Sequence, residues 1–314
     1  MNTYQNIIRE LTDLILEGKM KYSDTIIIGE NSIGKSDLLK NLMNHRRFSN
    51  MYFMDCVNRK FDVTEIEQIS FMSGKKSIEY IIRKRLSEEY FNLKDSFSLF
   101  GVDTDRVGQI YYEYVEQLNG LIKKFLDIHI SIKEEYKKNY SLINGKEQSL
   151  SNGIQALIRI FLEILYYDAN SYEEKMFIID EIDEYLSPNN AGRLLPFLKQ
   201  QYPYMTFVAS THSIEVIAEA KDCNIIAMLE DCKYEILDSN DYDSMIEASR
   251  LFHRVFSEND CASQKQKIDQ ELNRLFNNRI SGDLSESDKR IMEKLKTKEL
   301  TKAQEVLLKQ IEEW

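Results

Sequence analysis

Hydrophobic positions along the chain follow two alternating patterns. Ile7, Ile8, Leu11, Leu14 and Ile15 recur at helical spacing and predict an amphipathic helix that stops at Gly18. The pattern changes at Thr25, where "TIIIG" is a short, continuous apolar run of the kind that forms a strand. Runs of the same kind follow at 51–57 ("MYFMDCV"), 176–180 ("MFIID"), 205–210 ("MTFVAS"), 223–229 ("CNIIAML") and 233–237 ("KYEIL"), separated by helical stretches. From Lys75 to about Tyr140 the chain reads as charged and helical, without strand signals. This alternation predicts an α/β fold with a mostly parallel β-sheet wrapped by helices, spanning 1–242, with a helical lobe inserted at about 70–148. Beyond Asp243 no strand is predicted, and 243–314 reads as a C-terminal α-helical extension. Within it, "LSESDKRIMEKL" from Leu284 is echoed by "LTKAQEVLLKQI" from Leu300. Each copy has a Ser or Thr at a cap position and Asp288 or Gln304 three residues on, which predicts two short capped helices.

Composition narrows this picture. With 314 residues, 43% of them hydrophobic, the chain can bury a proper core. Its longest apolar stretches fall short of the ~18–20 residues that span a bilayer, and Met1–Gly18 lacks a signal-peptide core, so the expectation is a soluble, cytoplasmic protein with no membrane partner. Cys56, Cys223, Cys232 and Cys261 form no C-x-x-C pair, which signals neither a zinc site nor a disulfide framework. A net charge of −11 argues against coating DNA with the whole surface, although a local basic groove stays open.

The chemistry begins after the first strand. "GENSIGKS" fits G-x-x-x-x-G-K-[ST] between a strand and the amphipathic helix "DLLKNLM", the context a phosphate-binding loop requires. It comprises Gly29, Glu30, Asn31, Ser32, Ile33, Gly34, Lys35 and Ser36, with Asp37 opening the helix. The glycines let backbone amides wrap phosphates, and the helix points its positive end at the same anion. Lys35 is expected to reach the β and γ phosphates and Ser36 to ligate Mg²⁺. The fold expected is therefore a P-loop NTPase.

Two more elements end strands. "MFIID" delivers Asp180 and Glu181 to the C-terminal edge of the sheet, where ligands bind in such folds. Asp180 is placed to hold Mg²⁺, and Glu181 to orient the attacking water. After the next strand, "STHS" places His212 where it can sense a γ-phosphate.

These elements, in this order, resemble the ABC-type ATPases, and "SLSNGIQ" (149–155) resembles their signature loop, usually LSGGQ or LSGGE. The form "S-N-G-I-Q", with "IIDEIDEYLSP" and "STHS", is similar to the soluble branch of SMC-like, RecF-like and OLD-type ATPases, closest to OLD-type. The likeness covers roughly Thr25 to Leu237. It implies ATP and Mg²⁺ as cofactors and two heads facing head to tail, a homodimer or higher homo-oligomer. Ser151 and Gly153 of one copy would touch the γ-phosphate held by the other, with Glu181 as catalytic base and His212 as switch. A Q-loop glutamine is expected at Gln68, and a D-loop at Asp183 or Glu184. The pattern departs from the family at Asn152 and Ile154 in the signature and at Ile182, where Pro usually follows the acidic pair. The 24 residues before "TIIIG" read as helix rather than the usual antiparallel strands, leaving Tyr4 or Tyr22 as the aromatic for a base.

The resemblance implies a soluble ATPase whose ATP-dependent pairing controls a separate protein effector, with a nuclease as candidate and anti-phage defence as setting. The span Asp37–Ser149 is too short for SMC arms, and no acidic motif for a TOPRIM nuclease follows. Three other readings stand beside it. A RecF-like DNA repair ATPase would clamp duplex DNA through His45–Arg47, Lys75–Lys76 and Arg83–Arg85. An ATP-binding regulatory module would hydrolyse little. A transporter ATPase subunit is disfavoured by the missing N-terminal strands.

Overall fold

The computed structural model describes residues 3–44, 50–57, 59–66, 77–97, 107–136, 138–171, 174–256, 286–296 and 302–313, together with 268, 271, 272, 275, 276, 279 and 300. The chain divides into two compact units, Met1–Val255 and Phe256–Trp314.

In the first unit, all six apolar runs become strands of one sheet: β1 Thr25–Ile28, β2 Met51–Met54, β6 Lys175–Ile179, β7 Met205–Ser210, β8 Asn224–Leu229 and β9 Lys233–Asp238. Their order is β2-β6-β7-β1-β8-β9. Every neighbouring pair is parallel except β8 with β9, which closes one edge as an antiparallel pair. Strands β1 and β2 are buried along their whole length, which explains their unbroken apolar character: a parallel strand covered on both faces has no polar side to show. Because β7 lies between β1 and β6, the turns that leave these three strands meet at one edge of the sheet. Among the described residues, that edge carries the phosphate loop, the acidic pair and His212, and the 149–155 turn stands apart from it.

Helices α1 (Thr3–Leu16) and α2 (Lys35–Asn44) flank β1 in sequence; α3 (Ile78–Arg85) and α4 (Tyr111–Leu126) follow β2. Helix α5 (Asn152–Asn170) runs directly from the 149–155 turn and is buried on nearly every side, with Leu157, Ile158, Ile160, Phe161, Leu162 and Ile164 fully enclosed. A helix apolar all round belongs inside a domain rather than on its surface. Helix α6 (Pro188–Gln201) starts with Pro188 at its first position, where the missing amide costs nothing. The short α7 (Ile214–Glu219) follows His212, and α8 (Met245–Phe256) buries Ala248, Leu251 and Val255.

The region read as helical without strands holds a second sheet. Strands β3 (Ile130–Glu135), β4 (Lys138–Ile143) and β5 (Lys146–Glu147) form an antiparallel meander. Its solvent-facing positions are Lys and Glu, so the charge pattern imitates an exposed helix. The turn gives the strand away: Asn144 and Gly145 both have positive φ, 50° and 79°, as a tight hairpin demands.

In the second unit, α9 (Glu286–Lys296) and α10 (Lys302–Glu313) match the two predicted short helices. Ile268, Leu272, Leu275, Met292, Leu295, Leu308 and Ile311 give this unit a core of its own. Asp288 and Gln304, read as capping residues, are both buried.

Among the described residues no helix is long and apolar enough to cross a membrane. Cys56, Cys223 and Cys232 are free thiols, and Cys261 lies outside the described residues.

Candidate functional site

The loop between β1 and α2 owes its shape to its glycines. Gly29 and Gly34 have φ of 155° and 107°. A Cβ on Gly29 would stand 2.7 Å from the Met228 carbonyl oxygen, and one on Gly34 would stand 2.1 Å from the Tyr4 hydroxyl. At Gly34 the backbone conformation requires glycine, while the crowding comes from one side chain, that of Tyr4. Lys35 folds back over this loop and donates from Nζ to the carbonyls of Gly29 (2.8 Å) and Glu30 (2.9 Å). Only 6% of it is exposed, and this burial lowers its pKa against the pull of Asp180.

Ser36, the next residue, reaches across the sheet edge and donates from Oγ to Asp180 Oδ2 at 2.8 Å. Asp180 is 1% exposed and accepts two further bonds: from Ser210 Oγ at 2.5 Å on Oδ1, and from Asn92 Nδ2 at 3.4 Å on Oδ2. The buried guanidinium of Arg59 holds the Asp180 carbonyl at 2.8 Å and that of Asp55 at 2.9 Å. A carboxylate so enclosed is fixed in direction, which a metal ligand needs.

Glu181 sits in left-handed backbone, φ 52°, with its amide held at 2.7 Å by Ser210 Oγ. Its pKa is raised, first by desolvation and then by the Asp180 charge beside it. Ser210 thus serves both acids, its hydroxyl bonding to the side chain of one and the amide of the other. Ile182 donates its amide to the Ser210 carbonyl at 3.0 Å. This bond is the reason the chain can do without the proline expected there, since proline has no amide hydrogen to give. Asp183 then accepts from Thr211 Oγ1 (2.5 Å) and from the His212 amide (3.3 Å), latching the "STHS" turn to the acidic one. The His212 imidazole is half-buried, and its pKa is lowered by desolvation and by Lys35, so it is neutral at pH 7.

The structure therefore gathers Gly29–Ser36, Asp180, Glu181 and His212 at one sheet edge. It treats "SLSNGIQ" differently. Ser151 caps α5, accepting from the Ile154 amide at 3.4 Å, and Gln155 donates to the Leu150 carbonyl at 3.0 Å. Gly153 runs close to the turn after the acidic pair, where a Cβ would lie 3.2 Å from the Tyr185 carbonyl oxygen. Ser151 and Asn152 are exposed.

Other expected residues divide. Gln68 lies outside the described residues. Tyr4 stands against the phosphate loop, donating to Asp37 Oδ2 at 2.6 Å, and borders a groove of about 410 Å³ between α1 and α2 that Arg9, Asp37 and Lys40 also line. Tyr22 instead bonds Asp238 on β9. Of the basic clusters, His45–Arg47 and Lys75–Lys76 lie outside the described residues. Arg83 pairs with Glu79 at 2.6 Å, and Arg85 is fully buried on Glu163 at 3.0 Å.

Arg85 belongs to a network that the motifs did not announce. Glu163, 0% exposed, meets Arg85, Arg159 and the Tyr52 hydroxyl (2.6 Å). Burial pushes its pKa up, but the two arginines win and hold it below the usual carboxylate range. Arg159 also takes Asp95 in a two-pronged pair, 2.9 Å on each prong. The sequence carries a signal for this: Arg159 and Glu163 stand four apart in the otherwise apolar run "ALIRIFLEILYY". Removing one partner from such a buried pair costs about 3–5 kcal/mol.

No family model matches the chain, and no curated protein matches it. Among solved structures it is similar to the SMC head domain from Thermotoga maritima, at 17% identity over 69% of this chain and 91% of that one, with a TM-score of 0.37. It is similar to cbiO1 from Clostridium perfringens, part of the ABC transporter complex cbiONQ, at 16% identity over 80% and 84%, TM-score 0.36. It is also similar to a structure from work on ATP-driven dimerization and DNA-stimulated activation of SMC ATPases, at 13% identity over 49% and 100%, TM-score 0.35. At these scores the likenesses add no weight; the α/β class rests on the sheet order itself.

Proposed function

We propose that this chain is an ABC-type ATPase of the soluble branch, which binds ATP in the 29–36 loop and hydrolyses it between two copies. The observation that carries this reading is the contact between Ser36 and Asp180, 2.8 Å apart, under a buried Lys35 and beside Glu181 and His212.

The residues fit a hard divalent cation. Ser36 Oγ and Asp180 Oδ2 are oxygen donors already adjacent, and among the described residues no group of three or more His, Cys, Asp or Glu side chains could hold a metal alone. Such a site suits Mg²⁺, which takes one or two protein oxygens and completes its shell from phosphates and water. Bound there, Mg²⁺ would supply charge neutralisation on the phosphates. The loop amides and the start of α2 would bind the phosphate chain, with Lys35 turning from the carbonyls of Gly29 and Glu30 to the β and γ positions. Glu181, with its raised pKa, would position and deprotonate the attacking water, and neutral His212 would hold the γ-phosphate side of that water.

The 149–155 turn completes the reading. It opens a 19-residue helix whose first amides belong to small, exposed Ser151 and Asn152 and to Gly153. A helix start of this kind is an anion seat. Its hydrogen bonds stay within the turn, which suits an anion held by another copy. The finer reading, from sequence resemblance, is that this pairing controls a separate effector in anti-phage defence.

The test is light scattering of the Glu181→Gln chain with and without ATP and Mg²⁺. A doubled mass with ATP, absent in a Lys35→Ala control, is expected. A mass unchanged by ATP in a chain shown to bind it would overturn the two-copy reading.

A further inference from the structure

The segment after α3 touches both halves of the site and is assigned no role by the motifs. Phe91 and Lys94 close a tight turn on the carbonyls of Ser87 and Tyr90, and Asn92 within it is left-handed at φ 53°. The turn is pinned from two sides. The Phe91 ring stacks on Phe53 of β2, centroids 5.9 Å apart, and Lys40 Nζ of α2 lies over the same ring, 4.7 Å from its centroid. Three residues on, Asp95 holds Arg159 of α5 with both carboxylate oxygens and accepts the Phe97 amide at 2.9 Å, while Ser96 accepts from Arg85 at 2.6 Å. One short strap thus ends on Asp180 through Asn92 and on α5 through Asp95.

The Asn92 end is built in an unusual way. Its Nδ2 lies 3.4 Å from Asp180 Oδ2, the oxygen that also accepts from Ser36. Its Oδ1 is buried and has no hydrogen-bond partner among the described residues. A buried amide oxygen without a donor is a cost to the fold. The cost is removed if the amide turns over and presents Oδ1 to a cation, or to a cation's water, at Asp180. That turn also removes an N–H that a cation on the same carboxylate oxygen would repel.

The Asp95 end is stiff. A two-pronged carboxylate–guanidinium pair fixes direction as well as distance. Arg159 sits two helical turns into α5, is buried, and also donates to the Lys60 carbonyl at 3.2 Å. A shift of the strap therefore moves the start of α5, and with it the 149–155 turn, rather than dissipating in side-chain motion.

We infer that the strap 90–97 couples occupation of the cation position at Asp180 to the placement of the 149–155 turn, with Asn92 and Asp95 as positioning residues at its two ends. This rests on the reading that the 29–36 loop binds a Mg²⁺ nucleotide. It does not require two copies to associate.

The experiment uses the full chain with ADP, which lacks the γ-phosphate that two copies would share. Two quantities are read: the Mg²⁺ concentration at half-maximal binding of a fluorescent ADP analogue, and amide hydrogen exchange over 150–158 with and without Mg²⁺ at saturating ADP. In the parent, Mg²⁺ changes exchange over 150–158 by about fivefold. Asn92→Gly, which keeps the left-handed turn comfortable, raises the Mg²⁺ midpoint by about tenfold and abolishes the response at 150–158. Asp95→Asn leaves the midpoint within about twofold and abolishes the response as well; should that variant fail to fold, Asn92→Gly alone decides. Bound ADP with no Mg²⁺ response in the parent, or a response surviving in Asn92→Gly, overturns the coupling and leaves nucleotide binding standing. Absence of ADP binding in the parent overturns the nucleotide reading and the coupling with it.

Discussion

The wall formed by 29–36, 180–183 and 210–212 and the turn at 149–155 are built on opposite principles. The wall stands on the ends of three adjacent buried strands. Its members bond to one another, Ser36 to Asp180, Ser210 to Asp180 and the Glu181 amide, Thr211 to Asp183. The turn caps one helix, bonds within itself and keeps Ser151 and Asn152 exposed. The difference teaches which half can act alone. On the proposed reading, the wall holds Asp180 and the Glu181 backbone in place before phosphate arrives and leaves Lys35 to turn, whereas an exposed helix start gains its partner by association.

The sharpest way to break that contrast is to disable the wall. Lys35→Ala should lower ATP turnover by on the order of 10²–10³-fold with an unchanged circular dichroism spectrum, because one loop donor is lost and the fold is not. Next comes separation of the two regions. A Lys35→Ala chain and a Ser151→Phe chain should each be inactive, yet mixing them should restore about a quarter of parental turnover, since half the random dimers carry one intact composite site. No recovery on mixing would place turn and wall in the same copy's site.

A smaller effect sharpens the electrostatics of the wall. Glu181 has a folded pKa raised above the ordinary 4.5 by burial and by Asp180. A group raised in this way favours the fold while protonated and loses that contribution as pH climbs through its folded value. Glu181→Gln, permanently uncharged, should therefore melt higher than the parent at pH 7, with the advantage vanishing toward pH 4, as calorimetry would show. Turnover has the opposite sign: the parental rate should rise with pH through the same titration, because the base must be ionised. The smallest effect on the site comes from Ile182→Pro, which removes the bond to the Ser210 carbonyl. It should cost about 2–5 kcal/mol in urea unfolding, because the packing of a side chain that is 0% exposed is lost with the bond, and leave the ADP affinity within about twofold.

How legible each region was follows from the range of its contacts. The parallel strands of the main sheet read directly, because a strand covered on both faces must be apolar throughout, and the edge strand β9 read from its short "KYEIL" run. The phosphate loop and the acidic pair read directly too, since each is a short run whose chemistry demands fixed neighbours. The meander 130–147 reads as helix in the sequence, because its exposed positions are Lys and Glu and only the Asn144–Gly145 turn marks a hairpin. Asn92 was illegible: its partner lies 88 residues away and no local pattern points to it. Arg159 and Glu163 fall between these cases, charged residues in an apolar helix that ask for partners without naming Arg85 or Asp95.

Tyr4 and Gly34 impose a one-way rule on how this molecule can diverge. The tyrosine hydroxyl occupies the space a side chain at position 34 would need, yet that obstacle is flexible, and shortening residue 4 would clear it. The backbone angle of 107° at Gly34 would remain. Relatives are thus free to lose the aromatic and keep the loop, but none can enlarge position 34 and keep it. Position 4 should therefore vary across descendants in which position 34 never does.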